Sequence, residues 1–128
     1  MMNYIIDTSA WIEYLEGSFR GEKIDQIIKN KENIIYTIPL IISEVISKIS
    51  RKKHNADMAF NVIASMSNIV NLNAEESKEA GLLHAEMKKK LQSFSLADAI
   101  ILISARRNSA KLITLDNHFK SFKEAILI

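Results

Sequence analysis

The stretch from Ser95 to Phe119, SLADAIILISARRNSAKLITLDNHF, decides how this chain folds. Its first half, Ser95 to Arg107, is apolar nearly all round a helix, which places that helix inside the fold. Its second half carries KLITL at Lys111 to Leu115, a short apolar strand ending at Asp116. Upstream the same alternation repeats. NYIID at Asn3 to Asp7 is a strand ending in an acid, and TSAWIEYLEG follows as a helix, capped by Thr8 or Ser9 and closed by Gly17. GEKIDQIIKN is a second amphipathic stretch, IIYTI at Ile34 to Ile38 a second strand, and Pro39 suits the first turn of a helix running to Arg51.

Ala56 to Met66 reads as a further helix, with a weak strand around Ile69, Val70 and Leu72. AEESKEAGLLHAEMKKKL follows as a long helix, and Ala125 to Ile128 as a last short strand. Short apolar strands alternating with helices predict a three-layer α/β/α sandwich around a central parallel sheet. With 128 residues, no repeat and no linker, residues 1–128 form one expected domain.

Composition narrows the function classes. There is no cysteine, which excludes disulfides, thiol nucleophiles and Cys-ligated zinc, and fits a reducing, cytoplasmic setting. The opening MMNYIIDTSA is not read as a signal peptide, and no apolar run approaches the roughly 18–20 residues that cross a bilayer. A net charge of +2 permits a nucleic-acid partner without demanding one. Only three glycines are present, so neither a dinucleotide fingerprint nor a phosphate-cradling P-loop can be drawn. His54, His84 and His118 are scattered without ligand spacing and read as surface or tucked histidines rather than metal ligands.

Four acids remain: Asp7, Glu44, Asp98 and Asp116. Each sits where an apolar strand or helix begins or ends, and none of the first three has a Lys or Arg beside it in sequence. Each also has an ordinary explanation. Asp7 can cap the helix behind the first strand, Glu44 can be an exposed helix residue, Ser95 and Asp98 match a capping box, and Asp116-Asn117 can form an Asx turn. Together they carry more. Asp7 and Asp116 both end strands, Asp98 opens the helix feeding the strand of Asp116, and Glu44 lies in the helix leaving the second strand. In a doubly wound sheet all four converge at the carboxyl edge. A histidine-free, carboxylate-lined site points to a hard divalent cation, Mg²⁺ or Mn²⁺.

Four segments carry a family resemblance: D-T-S-A-W at Asp7, P-x-x-x-S-E-V at Glu44, S-L-A-D-A-I-I-L at Asp98 and L-I-T-L-D-N-H-F at Asp116. In order and spacing the chain resembles PIN-domain ribonucleases, and most of all the VapC-type toxins of toxin–antitoxin pairs. That resemblance implies a Rossmann-like parallel sheet and a metal-dependent endoribonuclease using one or two Mg²⁺ or Mn²⁺ ions. It places Asp7, Glu44, Asp98 and Asp116 on the catalytic, metal-holding positions, with Glu44 completing the set or orienting the attacking water. Ser9 and Thr114 fall on small polar positions that would fix carboxylate geometry. One departure is His118, which stands where many family members carry an additional acid and bears on a second ion. RNA would be held by cations at helix ends, Arg51, Lys52 and Lys53, or Arg106 and Arg107, with Lys120 and Lys123 as further candidates. The resemblance also implies a cognate antitoxin protein and a homodimer. Two other readings stay open: a PIN nuclease for RNA maturation, and a PIN-like interaction module without turnover.

Overall fold

The computed structural model describes residues 2–128 and contains five strands and six α-helices in strict alternation of short strands with helical connections. The order is β1 (Asn3–Ile6), α1 (Thr8–Glu16), α2 (Phe19–Lys29), β2 (Ile34–Thr37), α3 (Pro39–Arg51), α4 (Ala56–Met66) and β3 (Asn68–Ile69). Then come α5 (Ala74–Lys88), α6 (Leu96–Arg107), β4 (Lys111–Thr114), a 3-10 turn (Asn117–Phe119) and β5 (Ala125–Leu127).

All strand pairs are parallel, and the spatial order is β3-β2-β1-β4-β5. The chain therefore starts in the middle of the sheet, builds outward to β3, and returns to build the other half from β4. The reversal falls between β1 and β4, where Tyr4 pairs with Lys111 and Ile6 with Ile113. In an open α/β sheet that crevice, beyond the strands' carboxyl ends, is where ligands bind. Central parallel strands are covered on both faces, and consecutive residues show it: Ile5 and Ile6 are fully buried, as are Leu112 and Ile113.

Helices α1 to α4 pack on one another, while α5 packs on α6. Helix α6 touches β4 beneath it and α5 above it, which accounts for burial at Ala99, Ile101, Leu102, Ile103, Ser104 and Ala105 all round its axis. The expected buried helix and parallel three-layer sheet are thus present.

Several boundaries differ from expectation, among them the weak strand expected around Ile69, Val70 and Leu72, which is Asn68–Ile69 and includes neither Val70 nor Leu72. Of the caps offered for α1, the structure uses Asp7 and not Thr8 or Ser9. Helix α2 begins earlier, at Phe19, because Ser18 accepts from the N–H of Gly21. Helix α5 stops at Lys88; beyond it the chain turns so that Leu91 and Phe94 reach the core. Gly17 ends α1 as expected, in the left-handed region at φ 68°.

A closer approach explains Gly21. A Cβ there would lie 2.5 Å from the backbone oxygen of Glu13 and 3.0 Å from the Cα of Tyr14. Only glycine lets α2 close on the end of α1. Gly81 in α5 has open space around it. Gly21→Ala is expected to lose about 1–3 kcal/mol, because the neighbouring atoms are backbone and cannot rotate away. Gly81→Ala is expected to gain about 1 kcal/mol from helix propensity alone. Thermal melts of the two variants should shift in opposite directions, and a shared upward shift would refute the close-contact argument.

Candidate metal centre

Three acids come to the switch point for local reasons that sequence reading had set against function. Asp7 leaves β1 and caps α1: its Oδ1 accepts from the Ala10 N–H at 3.1 Å and the Ser9 hydroxyl at 2.8 Å. Its Oδ2 accepts from the Thr114 hydroxyl at the end of β4. Thr114 Oγ1 in turn accepts from the Asp116 N–H at 2.9 Å, and Ser9 Oγ accepts from the Leu115 N–H at 3.2 Å. The ends of β1 and β4 are laced together through the two small hydroxyls expected to set carboxylate geometry.

Asp98 forms the capping box of α6. Its Oδ2 accepts from the Ser95 N–H at 2.9 Å, and its own N–H donates to Ser95 Oγ at 3.0 Å. The same Oδ2 lies 3.2 Å from Nδ1 of His118. Asp116 caps the 3-10 turn by accepting from the His118 N–H at 2.8 Å, and its Oδ1 is also 3.2 Å from His118 Nδ1. Capping and clustering are therefore the same geometry. A cap residue directly after a parallel strand, or opening the helix before one, sits at the carboxyl edge, where helix N-termini favour negative charge.

One ligand atom each from Asp98, Asp116 and His118 lie within 4.8 Å of one another. Asp7 adjoins this trio through Thr114, and the Asp116 charge acts on it. Glu44 is held at one remove: its Oε1 accepts from the hydroxyl of Thr8, the residue after Asp7, at 2.7 Å. Among the described residues no Lys or Arg forms an ion pair with any of these four acids. Carboxylate oxygens with one imidazole nitrogen form a donor set that fits a divalent cation.

Asp7 and Asp98 are buried, at 4% and 8% exposure. Burial pushes the Asp7 carboxyl above its ordinary value of 3.8; hydrogen bonds from Thr114, Ser9 and Ala10 oppose the rise without cancelling it, and the charge of Asp116 adds to it. The linkage follows in sign. An acid whose folded value is raised stabilises the fold fully below its unfolded value, and that stabilisation is lost as pH rises through the folded one. In chelator, Asp7→Asn removes the buried charge together with one of the two acceptor oxygens, so its melting temperature relative to the parent is expected to be more favourable at pH 7 than at pH 4. That relative advantage should shrink as pH falls toward 4; one that grows on acidification would contradict the burial argument.

The proposed RNA-contacting cations divide. Arg51 and Lys52, with Lys48, line a cavity of about 440 Å³ together with Glu13, Glu16, Leu115 and Ser9, the residue whose hydroxyl bonds Asp7. Lys52 also pairs with Glu16 at 2.7 Å. Lys53 is exposed just past α3. Arg106 and Arg107 lie at the far end of α6 from Asp98, paired with Glu124 and Glu79. Arg106 lines a cavity with Asn3 and Lys111, the first residues of β1 and β4, at the opposite edge of the sheet. Trp11, Phe94 and Phe119 are fully or almost fully buried, so none offers a stacking face.

A family model described as PIN domain matches residues 4–125. This chain belongs to the PIN domain family. The PIN sheet is similar in solved structures to VapBC2 of Rickettsia felis bound to a promoter DNA fragment, at TM-score 0.76 and 21% identity over 99% of this chain and 98% of that one. It is also similar to a toxin–antitoxin complex from Klebsiella pneumoniae, at 0.71 and 23% over 96% and 95%. A third is Mycobacterium tuberculosis VapC20, described as a sarcin-ricin loop cleaving toxin, at 0.74 and 16% over 94% and 95%. At these identities the likeness is one of fold. No curated protein matches the chain in sequence.

His118, which its scattered placement marked as a surface or tucked histidine and the family resemblance marked as standing where many members carry an acid, lies beside Asp98 and Asp116. The signal was present in Asp116-Asn117-His118, an acid and a histidine two apart after a strand. An Asx turn folds such a pair back toward each other.

Proposed function

We propose that this PIN domain is a metal-dependent endoribonuclease that hydrolyses RNA phosphodiester bonds as the toxin of a toxin–antitoxin pair. The observation that carries the reading is the convergence of Asp7, Asp98 and Asp116 on the β1/β4 crevice, with no Lys or Arg ion-paired to them among the described residues. Two unit charges about 4 Å apart repel by roughly 4 kcal/mol at an effective dielectric near 20, a cost that capping alone does not require, because Asn or Ser caps a helix without the charge.

Asp98 and Asp116, with Asp7 beside them, would hold one or two Mg²⁺ or Mn²⁺ ions. When bound there, such an ion lowers the pKa of a coordinated water and offsets charge on the phosphate. The chain's own residues do the rest. Thr114 and Ser9 fix the Asp7 carboxylate, Glu44, held by Thr8, would orient an attacking water, and Lys48, Arg51 and Lys52, around a cavity that Ser9 also lines, would offer positive charge to the RNA backbone. Arg106 and Arg107, at the other end of α6 and paired with Glu124 and Glu79, are left outside this reading.

A cognate antitoxin is supported by the likeness to proteins crystallised as toxin–antitoxin complexes. A homodimer is part of the same reading. Among the described residues no helix is long and apolar enough to cross a membrane, and the proposed setting is the cytoplasm.

The test is incubation of total cellular RNA with purified protein free of any antitoxin, in Mn²⁺, Mg²⁺ or EDTA. Discrete fragments that require metal are expected. Intact RNA with folded, metal-loaded protein, across ribosomal, transfer and messenger pools, would overturn the reading.

A further inference from the structure

We propose that His118 is a nitrogen ligand of the metal centre, and that it makes this site select a first-row transition ion over Mg²⁺. This rests on the metal-binding part of the reading above and not on RNA cleavage.

The distances are those of a ligand set. His118 Nδ1 stands 3.2 Å from Asp98 Oδ2 and 3.2 Å from Asp116 Oδ1. Two neighbouring ligands of an octahedral ion with bonds of about 2.1 Å are separated by √2 times that length, roughly 3.0 Å. Two of the three edges therefore already lie near the required length, and one ligand atom of each residue falls within 4.8 Å of the others. The third edge, between the two carboxylates, is the one that would close on an ion.

The imidazole is also anchored. The His118 N–H is bonded to Asp116, which fixes the turn, and the next residue, Phe119, is buried with its ring edge-on to Phe94 at 6.2 Å. His118 is thus carried by a turn pinned at both ends. Its side chain is 35% exposed, which leaves the crevice open to an arriving ion.

Chemistry then sets the preference. Mg²⁺ is satisfied by oxygen and water, whereas imidazole suits transition ions. A nitrogen donor in an otherwise carboxylate site raises affinity for Mn²⁺, and for the later ions of the series, with little benefit to Mg²⁺. An alternative role for His118 is as a hydrogen-bond donor that merely occupies carboxylate lone pairs. The two roles predict opposite effects of deletion: losing a ligand weakens binding, while losing a competing donor strengthens it.

The experiment is calorimetric titration of the full chain with Mn²⁺ and with Mg²⁺, for the parent, His118→Ala and His118→Asp, each checked for folding by circular dichroism. Pulsed EPR of the Mn²⁺-loaded proteins accompanies it, with His84→Ala as a control. Expected are ¹⁴N couplings in the parent and in His84→Ala that vanish in His118→Ala. Mn²⁺ affinity should fall on the order of tenfold or more in His118→Ala while Mg²⁺ affinity changes less than about threefold. His118→Asp should bind Mg²⁺ at least as well as the parent, without the nitrogen signal.

Absence of ¹⁴N coupling in the parent overturns the proposal, as does equal or tighter binding of both ions by His118→Ala. Cleavage is not a readout. A chain that binds Mn²⁺ through nitrogen but leaves RNA intact loses the nuclease reading alone, and one that cuts RNA without nitrogen coupling loses this inference alone.

Discussion

Asp98→Asn is expected to lower RNA cleavage on the order of 10³-fold or more while leaving the fold in place. The two effects separate because Asp98 has two duties of different chemistry. In the capping box its Oδ2 accepts a hydrogen bond from the Ser95 N–H, and its backbone N–H donates to Ser95 Oγ. An asparagine carbonyl oxygen serves the first contact equally well, and the second involves no side-chain atom of residue 98. The apolar burial of α6 is untouched. What asparagine cannot supply is the charge that faces Asp116 and His118 across the crevice. The check pairs a cleavage assay with a thermal melt in chelator: cleavage should collapse while the melting temperature does not fall. Retained cleavage would remove Asp98 from the site, and a large fall in melting temperature would make its role structural.

Thr114→Val should damage both properties at once. The side chains have nearly the same shape, so the loss is of one hydroxyl. That hydroxyl donates to Asp7 Oδ2 and accepts from the Asp116 N–H. Its removal leaves a buried carboxylate without one of its donors and an amide without its acceptor. A hydrogen bond to a charged group contributes about 1.5–3 kcal/mol, and an orphaned polar group adds to the loss. A destabilisation of roughly 2–4 kcal/mol at neutral pH is expected.

The sign with pH follows from Asp7. The Thr114 hydrogen bond pulls down a pKa that burial pushes up, so its loss lets Asp7 rise further. The destabilisation is then greatest where Asp7 is ionised and shrinks as acid protonates it. Chemical denaturation of the parent and Thr114→Val across pH 4 to 8 measures this directly. A pH-independent difference would mean that packing, not Asp7, carries the effect. Cleavage should also fall, by about 10–100-fold, because the hydroxyl orients a carboxylate of the metal centre.

The fold was legible because its signals are local and repeated. Short apolar strands at Asn3, Ile34 and Lys111 each precede or follow a helix with a readable cap. The helix at Ser95 to Arg107 announced its own burial by having no polar face. Boundaries were less legible. Ser18 as a cap and the stop of α5 at Lys88 depend on what neighbouring elements leave room for, as does the contact of α2 on α1 at Gly21. Edge strand β3 is two residues long, too short for any periodicity to mark its ends.

The site was legible in its acids and not in its partners. Asp7, Glu44, Asp98 and Asp116 could be picked out because each lies at an element boundary, which a sequence shows. Whether a cap also faces a crevice depends on which strands become neighbours, which it does not show. The cations illustrate the same point. Arg51 and Arg106 look alike at the ends of their helices, yet only Arg51 comes to the acid side, because α3 crosses beside Ser9 while α6 runs from the carboxyl edge to the opposite one.

The sequence by itself determined the alternation of strand and helix, the burial of α6, and four acids at element ends, because capping and hydrophobic periodicity act over a few residues. Tertiary structure alone decided that β1 and β4 are neighbours, so that Asp7 and Thr114, 107 positions apart, share a hydrogen bond. It likewise decided that His118 stands between Asp98 and Asp116. The pairing of distant strands is set by which faces must be buried together, a global condition that no local stretch encodes.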